Sequence, residues 1–473
     1  MELSNNISTY IKSVFGNDYF EKYQAFFNEE YPLTLRFSVS HKEQPLLIDK
    51  LKNYGIKLDP VKTISNAYYV IEGKDLIGKT IEHAIGKYYI QSLSSMIPSL
   101  VLNPSPYDVV MDLCAAPGSK STQLSDLMNK KGTLYVNEPN LNRVKALVHN
   151  IDKMNAVNTG VLKYKGELLS KHFEEYFTKI LVDVPCSALG VIQKKNEVLK
   201  WWKTQRVERI AELQLKLLIS AIKMAKVGAD IVYSTCTLTL EENEFVINKI
   251  LKNYPVKIVD FKLNLPHKNG FNEIKGIKLH PDLAKSKRIL PWEIQSEGFY
   301  IAKLTKTDKT EPTKKTKIFG NNKLQLNRDN VKIKEHINAV EKYFGLQKNI
   351  LGNYKYIFSG HNISFVASDW KANNNVLFER IGTKFGIIDK NNSVRLHSHA
   401  AQILGKYAKQ NIFTLKTRQE LQIYFNGGII KRTAKEKGLK IVKYNNLILG
   451  TGIALEKTFK SSFPKSKRSA SII

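Results

Sequence analysis

Three short segments of this 473-residue chain share one form: an apolar run, then a tight polar turn that carries a cysteine. They are Val109-Val-Met-Asp-Leu-Cys114, Ile180-Leu-Val-Asp183-Val-Pro-Cys186 and Val232-Tyr-Ser-Thr-Cys236, and they hold the only three cysteines of the chain. Such runs read as buried strands of a parallel sheet, whose ligands gather at the carboxyl ends of the strands. Two thiols at neighbouring strand tips suit covalent chemistry on a pyrimidine. Cytosine is electrophilic at C6. A thiolate adding there makes C5 nucleophilic enough to take the methyl of S-adenosylmethionine, after which a base must remove the C5 proton so that the thiol can leave. By residue type alone either Cys186 or Cys236 can attack while the other assists release. Asp183 can hold the base through its exocyclic amine and N3. One such cysteine would be better explained as a small buried apolar residue; two, each in a polar turn, point to function. Their spacing fits no disulfide framework and no zinc site, so no metal is expected.

The first segment continues as Cys114-Ala115-Ala116-Pro117-Gly118-Ser119-Lys120. Small residues let a ligand approach the backbone, and N–H groups at a helix start can hold an anion. The pattern is neither a Walker A loop nor G-x-G-x-x-G. It suits a nucleotide-like cofactor, and its single glycine disfavours a nicotinamide dinucleotide. Glu138 ends the next apolar run, where an acid can accept hydrogen bonds from ribose hydroxyls; an acid before a helix can equally be a cap.

These turns need a frame. Strands are expected at 108–114, 132–138, 159–165, 179–185, 229–235, 256–261 and 298–304, with helices at about 119–129, 140–154, 168–176, 204–226 and 240–253. This alternation predicts an α/β fold with a doubly wound sheet. The run His83–Leu102 reads as one helix before it. Residues 1–80 form a small N-terminal α/β module, RRM-like, whose aromatic stripe from Tyr10 to Phe26 reads as core. The catalytic unit is then 81–306, followed by a polar linker at 307–317. Residues 318–377 form a small C-terminal module with a helix at about 331–344. Residues 378–473 hold short strands that suggest a PUA-like β module with a basic tail.

The net charge of +30 and pI of about 9.7 point to a nucleic-acid partner, because phosphate neutralisation is what such an excess serves. No apolar run approaches the ~20 residues of a membrane span, and the first residues lack the pattern of a signal peptide. A cytoplasmic protein, monomeric and free of membrane, is expected. Trp201 and Trp202 are candidates for stacking on a base, with core packing the plain alternative.

Together Asp112-Leu-Cys-Ala-Ala-Pro-Gly-Ser-Lys-Ser, Asn137-Glu138, Asp183-Val-Pro-Cys-Ser-Ala-Leu-Gly and Tyr233-Ser-Thr-Cys-Thr-Leu with Glu241-Glu-Asn-Glu resemble the Nop/Sun family of RNA cytosine-5 methyltransferases, and most its bacterial RsmF-type branch. Tyr89-Ile-Gln-Ser-Leu-Ser-Ser-Met and Glu297-Gly-Phe-Tyr support the resemblance, which is strongest over 85–305. It implies a Rossmann-like S-adenosylmethionine methyltransferase domain acting on ribosomal RNA, 16S most of all, or on the small subunit. It implies that Cys236 is the nucleophile, that Cys186 assists elimination and that Asp183 lies near the transferred methyl. Residues 114–120 would cradle the cofactor and Glu138 would hold its ribose. Two departures stand out. Where the family has an acid-glycine pair after the third strand this chain has Lys165-Gly166-Glu167, so either Lys165 meets the cofactor through its backbone or Glu167 substitutes. Where the family has Arg-x-Asn early on, this chain has Arg36-Phe-Ser38. The intact cysteines and turn speak against an RNA-binding assembly factor on an inactive methyltransferase fold. Val184-Pro185-Cys186 speaks against methylation of an amino group.

Overall fold

The computed structural model describes residues 3–194, 197–313, 331–347, 349–373, 376–434, 436–465, 468 and 471–473. Its centre is one sheet whose main strands are β1 (Val109–Asp112), β2 (Thr133–Asn137), β3 (Thr159–Leu162), β4 (Phe177–Asp183), β5 (Ala225–Thr235) and β6 (Phe299–Lys306). They lie in the order β6-β5-β4-β1-β2-β3. β1 to β5 pair in parallel and β6 runs antiparallel beside β5. Strand order reverses between β4 and β1, and in open sheets the crevice at that switch point is where ligands bind.

β1, β2 and β3 are buried along their whole length, which is why they read as unbroken apolar runs rather than as alternations. Helices cover both faces: α1 (Leu93–Leu102), α2 (Ser119–Leu127), α3 (Leu141–Lys153), α4 (Thr204–Met224) and α5 (Glu244–Asn253). On one face Leu217, Ile222, Ile247 and Ile250 pack against Ile180, Val182 and Ile231; on the other Met96, Ile97, Leu124 and Leu147 pack against Val110, Val136 and Leu181. The expected elements are present with ends shifted by a few residues, β5 beginning earlier at Ala225 and β6 running on to Lys306, except that 168–176 holds only a 3-10 turn at Gly166–Lys171. The short strands Lys268–Asn269 and Lys287–Ile289, which extend the sheet beyond β6, have no strong apolar pattern.

The single helix expected over His83–Leu102 is a short helix Ile81–Ala84, a strand Tyr88–Ile90 and α1. Gly86, with φ +76°, breaks the run: a Cβ there would lie 1.9 Å from the carbonyl oxygen of Lys153 at the end of α3. The freed Tyr88-Tyr-Ile then pairs with Thr34–Phe37 and completes the N-terminal sheet, so that sheet draws on residues beyond the expected boundary at 80. Arg36 and Ser38 both bond Asp126 on α2, with Ser38 Oγ at 2.7 Å, and so fix this sheet to the catalytic unit. The helices Asn5–Phe15 and Asn17–Asn28 bury Ile7, Tyr10, Ile11 and Tyr23 against Leu189, Trp202, Leu238 and Leu290. The aromatic stripe is core. So is Trp202, 1% exposed, whereas Trp201 is half-buried beneath the Arg206 guanidinium.

Of the expected linker, residues 314–317 lie outside the described residues, as do 318–330 of the following module. A helix at Val331–Phe344 precedes a four-stranded sheet, Tyr354–Ser359, Asn362–Ala367, Thr383–Ile388 and Val394–Leu396. This sheet straddles the boundary expected between 377 and 378. Phe365 and Phe385, from either side of it, pack together in a core that reaches Ile441 of the last sheet, so burial joins what the change of pattern seemed to divide. That last sheet has five strands within 412–461. Between the second and third strands of the four-stranded sheet, Arg380–Ile381 leaves to pair with the outer edge of β3, and Trp370 and Phe378 lie against Tyr135 of β2. Among the described residues no helix is long and apolar enough to cross a membrane.

Candidate active site

The turns after β1, β4 and β5 enclose a cavity of about 250 Å3 at the switch point. The turn after β1 is held from below. Asn137, at the end of β2, donates from its side chain to the carbonyls of Leu113 and Tyr164 at 3.1 and 3.0 Å, and Tyr164 N–H donates back to its Oδ1 at 3.0 Å. Arg143 and Asn150 of α3 donate to the carbonyls of Ala116 and Pro117 at 2.7 and 2.8 Å. Gly118 caps α2 with φ +107° and supplies no side-chain cap. A Cβ there would press on Leu147 at 3.0 Å. The first N–H groups of α2 are thus left for a ligand.

Asp112 closes the floor. Its Oδ2 accepts from Ser121 Oγ at 2.7 Å, while Oδ1, on a cavity-lining side chain, carries no hydrogen bond. Burial raises its pKa to about 7. Lys120 crosses the cavity to Asp183: Nζ lies 2.8 Å from Asp183 Oδ2 and 3.0 Å from Ser95 Oγ, above the ring of Phe299. Burial works against the Lys120 charge, but Asp183 more than offsets it and the pKa is raised. Ser234 Oγ donates to Asp183 Oδ1 at 2.7 Å, so the carboxylate is fixed at both oxygens.

Cys236 lines the cavity, and Cys186 lies directly against it with 2.8 Å between the sulfurs. Both are free thiols. The Cys186 thiol is pushed well up by its hydrogen bond with Cys236, by burial and by the Cys236 and Glu242 charges. Cys114 is pushed up by burial and by the carboxylates of Asp112, Asp183 and Glu138, and so stays protonated. The third cysteine thus stands on the cavity wall, apart from the two touching sulfurs.

Of the residues expected at the site, Cys114, Ala115, Ala116, Pro117, Ser119, Lys120, Asp183 and Cys236 line one cavity. Gly118 sits in its rim and Cys186 behind it. Glu138 is buried beside the turn rather than on the cavity wall, its oxygens engaged by Asn140 N–H at 3.0 Å and Arg143 at 3.1 Å. Lys165 is the position at which the resemblance implies a backbone contact with the cofactor, with Glu167 the alternative. It is exposed and off the cavity wall, because the chain leaves β3 at Leu162 and the Lys165 carbonyl is taken by Leu168 N–H at 3.0 Å. Glu167 does not line the cavity either. Ser95, Glu297, Phe299, Val184 and Val191 complete the wall, and none had an assigned role in the sequence. Ser95 and Glu297 stand in Gln91-Ser-Leu-Ser-Ser and Glu297-Gly-Phe-Tyr, two segments whose likeness to a family was their only signal.

Residues 99–305 match the family model described as 16S rRNA methyltransferase RsmB/F. A 28S rRNA (cytosine-C(5))-methyltransferase of Mus musculus is 34% identical over 286 residues, 59% of this chain and 36% of that protein. The chain thus spans about a third of that relative's length. Ribosomal RNA small subunit methyltransferase F of Shewanella piezotolerans is 30% identical over 426 residues, covering 87% of this chain and 85% of its own. Among solved structures, a methyltransferase homologue from Pyrococcus horikoshii matches with a TM-score of 0.56 at 28% identity, over 62% of this chain and 92% of that one. With a Rossmann-like sheet, a cysteine pair at two adjacent strand tips and likeness running almost end to end to a methyltransferase F, this chain belongs to the RsmB/F methyltransferase family.

Proposed function

We propose that the chain methylates C5 of a cytidine in ribosomal RNA, 16S RNA or the small subunit foremost, with S-adenosylmethionine as donor. One observation carries this reading: Cys236 lines the cavity that holds the Lys120–Asp183 ion pair, and the free sulfur of Cys186 lies 2.8 Å behind its own. Cytosine-C5 chemistry needs an attacking thiol and a base beside it, which this pairing supplies next to a carboxylate that can hold the base.

The cofactor fits the residues present. The uncapped start of α2 suits a carboxylate, the Asp112 oxygen suits an ammonium, and Glu138 suits ribose hydroxyls. Bound there, S-adenosylmethionine would supply an electrophilic methyl. Asp183 accepts a hydrogen bond from the cytosine amine, and Lys120 and Ser234 keep that carboxylate oriented. The Cys236 thiolate forms a bond to C6 and displaces ring electrons to C5, which would take the methyl as the sulfonium C–S bond breaks and leaves its electrons on a neutral thioether. Cys186, as thiolate, then accepts the C5 proton. The electrons of that C–H bond restore the C5–C6 double bond and expel Cys236 as thiolate. The proton ends on Cys186, which passes it to solvent before the next release. The target base must leave its stack to reach these sulfurs. The C-terminal modules, the last of them read as PUA-like, and the basic surface would supply phosphate contacts and register. A monomer in the cytoplasm suits this substrate.

Labelled methyl transfer to small subunits, naked 16S RNA, 23S RNA and transfer RNA in parallel tests the reading. Incorporation at C5 of cytidine is expected in the first two. Cys186→Ala should accumulate a protein–RNA adduct that survives denaturation, and Cys236→Ala should give neither adduct nor product. Normal methylation by Cys236→Ala would overturn the assignment.

A further inference from the structure

A fully buried carboxylate lies behind the two cysteine turns, outside the cavity. Glu242 is 0% exposed, and apart from a bond to Gln214 of α4 its bonds reach segments that carry or flank a cysteine. Its Oε2 accepts from Ser187 N–H, the residue after Cys186, at 2.9 Å and from Gln214 Nε2 at 2.8 Å. The same Gln214 amide donates to the carbonyl of Pro185, the residue before Cys186, at 2.9 Å. Glu242 Oε1 accepts from Thr239 Oγ1 at 2.9 Å, three residues past Cys236. Tyr233 OH, three residues before Cys236, donates to the Glu242 carbonyl at 2.5 Å. A direct bond between Ser187 and Thr237 hydroxyls, 2.9 Å, closes the ring.

The charges around the pair are unequal. Glu242 acts on Cys186 from behind, while the ammonium of Lys120 acts on Cys236 from the cavity. Tyr233 from β5 and Asp183 from β4 are the other titratable groups facing the pair, and the Tyr233 phenol stays protonated because burial and Glu242 raise its pKa. A thiol that attacks and must later leave works best as the more stable thiolate. A thiol that takes up a proton works best as the more basic one.

We infer that Glu242 is a positioning residue for the cysteine pair: it locks the Cys186 and Cys236 turns at sulfur contact distance and makes Cys186 the sulfur that holds the pair's proton. The inference rests on the proposed roles of the two cysteines, and it gives a physical reason for them that the strand tips alone do not contain.

The test reads the thiols without RNA or cofactor, so it remains informative even where methyl transfer is not seen. Initial rates of iodoacetamide modification are measured from pH 6 to 10 on the full-length protein, with Cys186 and Cys236 read as separate peptides. In the wild type the midpoint for Cys186 should lie above that for Cys236; the reverse order overturns the inference. Glu242→Gln removes the charge at constant size and should lower the Cys186 midpoint by about one pH unit. It should also cut kcat for methyl transfer by roughly 10- to 100-fold with KM for RNA changed less than about threefold. Glu242→Asp keeps the charge but cannot span both turns, and should lose kcat while holding the wild-type order of midpoints. Unchanged midpoints and unchanged kcat in folded Glu242→Gln would overturn the inference. Should neither variant fold, the wild-type order of midpoints decides it.

Discussion

Two buried ion pairs in the catalytic unit make an instructive contrast. Lys120–Asp183 bridges the cavity, with Ser95, Ser234 and Phe299 as further partners. Arg288–Glu244 is sealed behind β6: Arg288 Nε donates to Glu244 Oε1 at 2.6 Å, Nη1 donates to the Leu238 carbonyl at 3.0 Å, and the rings of Phe15, Phe271 and Tyr300 enclose the guanidinium. Both are charges held out of water by a partner. In the first, the acid still faces a space into which a base can enter. In the second, every contact is internal, so the pair serves to bind an N-terminal helix and α5 to the edge of the sheet. Burial and pairing alone therefore do not distinguish a working carboxylate from a structural one; access does.

The widest separation should come from Asp183→Asn, with methyl transfer down by about 1,000-fold or more and an unfolding midpoint close to wild type. If that variant is as active as the wild type, the cavity pair is structural too. Glu244→Gln should do the opposite. It strands the Arg288 charge and should cost about 3–5 kcal/mol in urea unfolding, while the folded fraction keeps its kcat. Replacing both partners, Arg288→Met with Glu244→Leu, should cost less than Glu244→Gln alone, because no charge remains buried.

A pH effect sharpens the contrast further. The raised pKa of Asp112, about 7 against an ordinary value of 3.8, means that its burial carries no charge cost below pH 3.8 and its full cost above about pH 7. Asp112→Asn should therefore gain about 1–3 kcal/mol on the wild type at pH 8 and nothing at pH 3.5, while losing affinity for the cofactor. Smallest of all, breaking the exposed Lys437–Glu456 pair, 66% and 74% accessible, should leave the unfolding midpoint unchanged within error.

The sequence was most legible where chemistry and burial coincide. The strands ending at Asp112, Asp183 and Thr235 are short apolar runs with abrupt polar turns, and both features survive in a single chain without any knowledge of the fold. The meeting of Cys186 and Cys236 followed from parallel-sheet geometry. What stayed hidden depends on partners distant in the chain. Nothing local marks Tyr88–Ile90 as a strand, since its reason for extension is Thr34–Phe37, more than fifty residues earlier. Ser95 and Glu297 reach the cavity from opposite ends of the catalytic unit. Glu242 reads as one of the three acids in Glu241-Glu-Asn-Glu, and only its bonds to Ser187, Gln214 and Thr239 single it out. Lys165 is legible only as a position following a strand; the fold leaves its side chain exposed, just before the turn that begins at Gly166.

The short strand Arg380–Ile381 has a meaning for how the chain can be divided. It covers β3, the last strand of the central sheet, and Trp370 and Phe378 lie close by against Tyr135. A catalytic fragment ending near residue 306 would expose both that hydrogen-bonding edge and the apolar ring surface beneath it, the combination that promotes self-association of β-sheets. Solubility is thus a property the catalytic unit borrows from its C-terminal partner, and attempts to express the enzyme piecewise should extend at least through Ile381.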